Sequence, residues 1–394
     1  RLRFLPVAVA GVLAWAAPGP AAAQITLDGT LGTAGTLVGP AYMIPASAGR
    51  QFGGNLFHSF GLFNVNTGES ATFSGPASVG NIISRVTGGS ASNIDGAIRS
   101  EIAGANLFFV NPAGIVFGPN ATLEVSGSFH AGTADYLRLG TDGRFDAKTP
   151  SDSVLTSAPP SAFGFLGPPP ASITINGSLL EVPAGKSISL IGGDITLTDA
   201  TVRAPGGRIN TASLASGGNV RIEDSPANVV VTSENGLGDL RMDDGGLNSR
   251  GDGGGTVIIR AGRFLMANSA LVSTSATGPT GGTIPAATGE GIDIQVGELA
   301  MDTGSEISSN VFASVTQAAP PVRIAAERIE IKNNSVINTV AMTGSIGPSS
   351  GMRIEADSID IHHGAFVRSN TGGAGTSGDL EVVAGELRVR DGGA

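Results

Sequence analysis

The chain has no cysteine, little charge and no long helical stretch. Without cysteine it has no disulfide framework and no thiolate metal site. Only 14% of its residues are charged, against about 25% in a typical soluble domain, so charge does not shape this fold. The formal net charge is -10, and no cluster of Lys and Arg follows the first three residues. Phosphate binding needs a basic face, so nucleic-acid binding is not expected.

Glycine and short apolar runs dominate what is present. The chain contains 60 glycines, and its hydrophobic residues make up 41% of the sequence. This composition favours many short strands joined by glycine-rich turns, and therefore an all-β fold. A length of 394 residues would suggest two or three domains, unless the chain is built from repeats.

Residues 1–23 have the pattern of a signal peptide. Arg1 and Arg3 precede an apolar stretch from Phe4 to Ala17, and small residues follow at Ala21–Ala23. The stretch is shorter than the roughly 20 residues that a membrane-spanning helix needs. We expect the mature protein to begin near Gln24, with no other segment that spans a membrane. Because residue 1 is not Met, we also expect the start to be trimmed or misassigned.

The most informative run is ANLFFVNPAGIVFG at Ala105–Gly118. Two apolar segments flank the tetrapeptide Asn111-Pro112-Ala113-Gly114, in which proline followed two places later by glycine indicates a tight turn. Both segments are apolar on consecutive residues, which is typical of strands that meet little solvent on either face. The run therefore predicts two buried strands joined at a corner.

Five motifs occur in order over about 80 residues: NLFHSF at 55–60, RVTGG at 85–89, Ser92 with IDG at 94–96, the ANLFFVNPAGIVFG run, and GSFHAGTADYL at 127–137. Together they resemble the N-terminal haemagglutination-activity domain of filamentous haemagglutinin-like exoproteins. The resemblance implies a right-handed parallel β-helix that is secreted by the two-partner route, through an outer-membrane β-barrel transporter of the Omp85 type. GGNL stands where NPNL is expected, and NPAG where NPNG is expected. The export route therefore carries over more safely than adhesive activity.

The resemblance assigns transporter recognition to this region, and the candidate residues are Asn55, Arg85, Asn106, Asn111, Pro112 and Gly114. A corner fixed by asparagine and proline could be the first folded element that the transporter recognises. Alternatively, Asn111 only bonds backbone within the turn and supports folding.

The domain division follows composition. Residues 24–146 form the recognised domain, which holds ten of the 16 phenylalanines and so most of the expected aromatic core. Residues 147–171 contain six prolines and read as a surface connector, which Phe163, Phe165 and Leu166 could pin to the domain. Residues 172–394 form the repeat region.

The repeat region contains five copies of one pattern, which begin at Val257, Ile292, Val322, Met352 and Leu380, and a looser copy begins at Ile188. Each copy holds three short alternating pieces, which matches the coil of a parallel β-helix. A propeller would need longer repeats, and ankyrin or tetratricopeptide arrays would need helical periodicity. The last copy stops within the repeat, so we expect the natural chain to continue or its edge to be capped by a partner.

The alignment also predicts which side chains meet. Ile294, Ile324 and Ile354 share one repeat position and should stack in an interior column. The next residues, Gln295, Ala325 and Glu355, should face outward.

No motif predicts a cofactor or metal site. Residues 373–378 match GxGxxG, but a strand pattern follows where a dinucleotide site needs a helix. His58 and His130 have no metal-ligand spacing, and the adjacent pair His362 and His363 is interpreted as solvated turn residues. Acidic residues on one face could serve glycoside cleavage. The aligned positions, however, mix Arg263, Glu298, Arg328 and Ser358, which favours an ordinary solvent face.

The first hypothesis is a secreted, non-enzymatic β-helix exoprotein whose rod acts as an adhesin or scaffold at the surface of a Gram-negative-type bacterium. Its candidate partners are the transporter and a carbohydrate or protein on a host or neighbouring cell. The main alternative is a β-helix enzyme, a lyase or hydrolase, that acts on polysaccharide. A third is a scaffold whose activity lies in a missing C-terminal portion.

Overall fold

The computed structural model describes residues 24–167, 169–224, 227–278, 289–312, 315–316 and 318–394. The predicted signal peptide lies outside these residues. Within them the only helices are two 3-10 turns, Ala46–Ala48 and Pro150–Asp152. In this part of the chain no helix has both the length and the apolar character to cross a membrane.

The first half of the chain forms short strands: β1 Ile25–Leu27, β2 Gly35–Thr36, β3 Ala41–Pro45, β4 Arg50–Phe52, β5 Asn55–Phe63, β6 Ser70–Ser74, β7 Asn81–Val86, β8 Ser92–Ile94, β9 Ala97–Ser100, β10 Asn106–Val110, β11 Ile115–Phe117, β12 Thr122–Glu124, β13 Phe129–Gly132, β14 Tyr136–Leu139, β15 Gly143–Asp146, β16 Pro160–Phe165, β17 Ile173–Asn176 and β18 Leu179–Glu181.

The second half continues with both short and long strands: β19 Ser187–Gly192, β20 Ile195–Thr198, β21 Thr201–Arg203, β22 Arg208–Ser213, β23 Gly218–Asp224, β24 Ala227–Ser233, β25 Asp239–Asp243, β26 Gly246–Asn248, β27 Gly251–Asp252, β28 Thr256–Ala267, β29 Leu271–Ser273, β30 Ala276–Thr277, β31 Gly291–Met301, β32 Glu306–Ser308, β33 Val322–Ile331, β34 Val336–Ala341, β35 Met352–Ile361, β36 Phe366–Thr371 and β37 Leu380–Val389.

These strands stack as a parallel β-helix, which confirms the predicted fold class. One face runs without interruption through parallel pairs from β5 and β7 to β10, β13, β19, β22, β28, β31, β33, β35 and β37. Another face begins with β3, β6, β9 and β12, and a further one runs from β18 through β21, β26, β29, β32 and β34 to β36. Each coil therefore lies directly on the one before it, and a short antiparallel group, β1, β2 and β4, pairs at the first coil.

The repeat alignment gives the register of the later coils. Val257 pairs with Ile292, Ile292 with Val322, Val322 with Met352, and Met352 with Leu380. The interior column is confirmed as well, since Ile294, Ile324 and Ile354 are in register and at most 2% exposed. Their neighbours Gln295, Ala325 and Glu355 are exposed, as the alternation of side chains along a strand requires.

One expectation about the coil needs correction: its first two pieces are a single bent strand and not separate strands. The inward positions 3 and 8 of the repeat are an odd number of residues apart, so the alternation must be broken between them. The ladder skips one residue there, at Gly262 between the pairs Ala261–Val296 and Arg263–Glu298. A Cβ on Gly262 would lie 2.4 Å from the carbonyl oxygen of Leu237, so in this coil the bend admits only glycine without a shift of backbone.

A second corner of the coil places residues in left-handed backbone conformations. This conformation is costly for most side chains, and glycine, asparagine and aspartate adopt it most readily. Most of the non-glycine residues with positive φ in the described coils are of the latter two types, namely Asp199, Asp244, Asn268, Asn333, Asn334 and Asp391, and the others are Ser269, Thr303 and His363. The asparagine and aspartate residues at these turns are thus explained by the left-handed backbone conformation that the turns require.

The interior is one apolar cluster that extends from Ile25 to Ala365. Its first coils pack phenylalanines, such as Phe60, Phe73 and Phe109, and its later coils pack mostly isoleucine, valine and leucine. The predicted change from an aromatic to an aliphatic core is confirmed.

An antiparallel sheet lies outside the helix and has the order β15, β14, β16, β23, β24. The proline-rich segment 147–171 supplies β16, whose Phe163 and Phe165 are buried in a second apolar cluster. Leu166, the third residue expected to pin this segment, is 53% exposed. The domain division stays a prediction, because this sheet joins strands from both sides of the expected connector.

Ile324→Ala tests the interior column. The truncation removes apolar burial between Ile294 and Ile354 and leaves a cavity, so we expect the free energy of unfolding to fall by about 2–5 kcal/mol. Gln295→Ala, on the outward face of the adjacent coil, should change it by less than about 0.5 kcal/mol. Chemical denaturation of the full chain provides the measurement, and equal effects of the two changes would contradict the stacking.

Candidate functional site

The Asn111–Gly114 turn is held by several hydrogen bonds, and the side chain of Asn111 is buried. Asn111 is 0% exposed. Its Nδ2 donates to the carbonyl oxygen of Ser90 at 3.0 Å and to Oγ of Ser92 at 2.9 Å, and its Oδ1 accepts from the backbone N–H of Ala113 at 2.9 Å. The turn closes through the N–H of Gly114, which donates to the carbonyl oxygen of Asn111 at 3.1 Å. Both ends of the amide are therefore used inside the domain.

Gly114 and Pro112 complete the turn in different ways. Gly114 has a φ of +116°, a backbone region that side chains rarely adopt, so glycine is required there. Pro112 and Ala113 are half-buried and line an open groove of about 270 Å³ together with Lys148 and Pro170. The turn thus presents Pro112 and Ala113 at the surface while it buries Asn111.

Arg85 is a buried cation next to the turn. It is 1% exposed and pairs in the β7–β10 ladder with Val110, the residue before Asn111. Its guanidinium donates to Oγ of Ser59 at 2.7 Å, to Oγ of Ser153 at 2.7 Å, to Oγ1 of Thr30 at 2.9 Å and to the carbonyl oxygen of Asp146. It also lies 4.2 Å from the ring centre of Phe145. Arg85 therefore ties the β-helix to the outer sheet.

The charges around Arg85 are balanced locally. Burial lowers the pKa of Arg85 to about 10, and Asp28 and Asp146 oppose this shift. Burial by itself would raise the pKa of Asp28, but hydrogen bonds from Ser59, Thr30 and Thr87 outweigh it and hold that pKa below its usual value. Asp28 thus stays ionised and supplies the anion that this buried cation needs.

Asn55 and Asn106 belong to a different feature, a ladder of amides at the start of β5, β7 and β10. Nδ2 of Asn106 donates to Oδ1 of Asn81 at 3.3 Å, and Nδ2 of Asn81 donates to Oδ1 of Asn55 at 3.0 Å. Asn55 then donates to the carbonyl oxygens of Thr156 and Ala158 at 3.0 and 2.7 Å. The ladder holds the proline-rich segment against the first coils.

Asn81 was not among the residues predicted from the sequence, although a signal was present. An asparagine followed by two apolar residues opens each of the three strands, with separations of 26 and 25 residues. That spacing is one coil of the helix. The six candidates therefore form two groups: Arg85 with the turn at one end of the strands, and Asn55 with Asn106 at the other end, roughly 13 Å away along β10. Their role in transporter recognition stays a prediction.

The histidines are more buried than the sequence suggested. His58 and His130 are 0% and 8% exposed. His362 was expected to be solvated but is 5% exposed, because its ring lies against that of His363 and its Nε2 is 3.2 Å from Oε1 of Glu330. The described residues contain no group of three or more histidine and carboxylate side chains that could hold a metal ion. The GxGxxG run precedes β37, a strand, as expected.

The outward charges form ion pairs between successive coils. Arg263, Glu298, Arg328 and Ser358 are in register, as the alignment predicted, and Arg328 pairs with Glu298 at 3.0 Å. In the next column burial would raise the pKa of Glu330, but hydrogen bonds from Lys332 and His362 lower it. The pKa of Asp360 is lowered mainly by its hydrogen bond from Arg390. A general acid for glycoside cleavage needs a raised pKa, so these carboxylates do not favour the enzyme alternative.

Comparison with known proteins gives two similarities. A family model described as the TPS secretion domain matches residues 23–233. The crystal structure of the HMW1 secretion domain from Haemophilus influenzae is similar to this chain, with 17% identity, 94% of each chain covered and a TM-score of 0.48. No curated protein matches.

Arg85→Lys tests the buried cation. Lysine keeps the charge but cannot reproduce the planar fork or its stacking on Phe145, so we expect the free energy of unfolding to fall by at least about 2 kcal/mol. Arg99→Lys is the matched control, because Arg99 is in an exposed pair with Glu124 and should change stability by less than about 0.5 kcal/mol. Urea denaturation of both variants measures the difference, and similar values would show that the Arg85 network does not stabilise the fold.

His58 predicts a pH dependence of stability. Burial lowers its pKa from 6.5 to about 4, so the unfolded chain binds the proton more readily. Its contribution is complete above pH 6.5 and is lost as the pH falls toward 4, at about 1.4 kcal/mol per pH unit. His58→Gln, which does not titrate, should reduce the slope of unfolding free energy against pH between 6.5 and 5. An unchanged slope would contradict the burial of an uncharged imidazole.

Proposed function

Because the chain belongs to the family of TPS secretion domains, and so to the exoproteins of two-partner systems, we propose that residues 24–146 direct its export through a cognate outer-membrane transporter. The observation that carries the proposal is the family match, which includes all of the turn and its supporting network. The protein is thus a secreted exoprotein. We propose further that the exported protein is located outside the cell or on its surface.

We propose that the transporter contacts the surface formed by Pro112, Ala113 and the adjoining groove. Asn111 and Arg85 are buried, so they act by fixing the shape of that surface. The turn suits this role, because its strands and its closing hydrogen bonds lie within a short stretch of chain. It can therefore form once β10 and β11 have joined the preceding strands.

We propose further that the later coils form a non-enzymatic rod with an adhesive or scaffolding role. Their outward faces carry mixed charges that pair with one another, as between Arg353 and Glu381 at 2.5 Å. Long ladders of ion pairs present a regular polar surface. Such a surface is better suited to contact with another cell or molecule than to catalysis. Among the described carboxylates with shifted pKa values, each shift is downward.

Two substitutions at the turn separate recognition from folding. Asn111→Ala removes three internal hydrogen bonds and should lower the melting temperature of the domain together with export. Pro112→Arg changes a half-buried side chain at the tip and should reduce export at least tenfold while the melting temperature stays nearly constant. The measurements are the secreted fraction in cells that carry the protein's own transporter and the thermal unfolding of the purified chain.

Asn120→Ala provides the control, since Asn120 lies in an exposed turn where it bonds only Asp95. It should be exported normally. If Pro112→Arg is also exported normally, or if export falls only in proportion to stability in every variant, the turn is not read directly by the transporter.

A further inference from the structure

A cavity of about 250 Å³ lies between the β-helix and the outer antiparallel sheet. Its floor comes from the helix face, where β7, β10, β13, β19 and β22 contribute polar side chains. Its roof comes from β14, β16 and β23, where Leu137, Phe163 and Ile222 contribute apolar ones. The floor also includes Phe108 and the roof Ser161, so the floor is mostly polar and the roof mostly apolar. Pro159 and Pro160 stand at the edge of the cavity.

A hydrogen-bonded relay ends at His130 on the floor. Nε of Arg208 donates to Oδ1 of Asn210 at 2.8 Å, and Nδ2 of Asn210 donates to Oγ of Ser189 at 3.0 Å. Oγ of Ser189 lies 2.8 Å from Nδ1 of His130. The Ser189 hydroxyl accepts from Asn210, and it can either donate its own proton to Nδ1 of His130 or accept a second hydrogen bond from it. The contact fixes the position of the imidazole, and Nε2 is a donor in one tautomer and an acceptor in the other.

His130 is held uncharged and has an unbonded ring nitrogen. Burial and, to a smaller extent, the charge of Arg208 together lower its pKa to about 3. The ring is 8% exposed and is stacked on Phe108 at 4.4 Å. No described residue bonds its Nε2, so this nitrogen is available to a molecule in the cavity, which His130 lines. It is a polar atom with a fixed position.

The amide ladder adds donors to the same floor. Asn81 and Asn106 each use one N–H of the amide in the ladder, and each has a second N–H that the ladder does not use. Ser128 accepts the backbone N–H of Ser187 at 3.0 Å, which leaves its hydroxyl proton to be donated. All three line the cavity, on three successive coils of the helix.

We propose that this cavity binds a single pyranose sugar unit. A pyranose has hydroxyl oxygens that accept hydrogen bonds along its edge and a C–H face that packs on apolar side chains. The donor-rich floor fits the first of these, and the roof of Leu137, Phe163 and Ile222 fits the second. The volume is below the roughly 300–1,000 Å³ of drug-sized pockets, which limits the ligand to one ring. This inference is independent of how the chain is exported.

Saturation-transfer NMR on the full chain tests the proposal, with a panel of methyl pyranosides that includes gluco, galacto, manno and glucuronic forms at millimolar concentration. At least one should show transfer to its ring protons, and the strongest should be displaced by itself in excess. The glucuronic form separates recognition of the ring from recognition of a carboxylate. If only that form and simple carboxylates bind, the pyranose assignment is overturned.

Three variants locate the binding. Ile222→Trp fills the cavity from its roof and should weaken binding at least tenfold without removing a polar group. His130→Gln removes the imidazole and should also weaken binding. Val38→Trp adds the same bulk at a position that is 84% exposed and should bind as the parent does. Equal transfer in Ile222→Trp and Val38→Trp, or no transfer with any sugar, would overturn the proposal.

Discussion

The structure depends on the pairing of each strand with its equivalent in the coil before it. Neighbouring strands lie about 4.8 Å apart, so every inward side chain meets the same repeat position above and below. This is why Ile259, Ile294, Ile324 and Ile354 form one column. A change at one position is therefore transmitted to two others, and the core tolerates only residues that fit the whole column.

The first coils use the same geometry for polar groups. Asn55, Asn81 and Asn106 form a ladder in which each amide satisfies the next. The free-energy cost of burying Arg85 is offset by hydrogen bonds to Ser59, Ser153 and Thr30. Such networks stabilise only when they are complete, because a buried donor without a partner costs about 1–3 kcal/mol. The first coils are consequently specified by polar as well as apolar contacts.

The outer sheet determines which parts of the β-helix surface are covered and which remain accessible. By covering β10, β13, β19 and β22 it buries His130 and Arg208, and it creates a cavity with one mostly polar and one mostly apolar wall. The turn at Asn111 lies beyond this cover and remains accessible through Pro112 and Ala113. The same domain therefore has an accessible turn, which we propose the transporter contacts, and a cavity, which we propose binds a small molecule.

Much of the fold could be predicted from the sequence, because the relevant interactions repeat along the chain. The register of the later coils, the column at Ile324, the buried strands around Asn111 and the change from aromatic to aliphatic core all follow from periodicity and alternation. Asn81 was within reach for the same reason, as its spacing from Asn55 and Asn106 is one coil.

The remaining features were decided by the tertiary structure. The pairing of β14 with β16 and of β16 with β23 joins segments with no repeat relationship. No local sequence pattern therefore predicts this pairing. The burial of His130 and Arg85 depends on that sheet, and so does the cavity. Periodicity determined which residues stack, because stacking repeats at a fixed interval along the chain. Only the folded chain determined what covers the stack, because that contact occurs once.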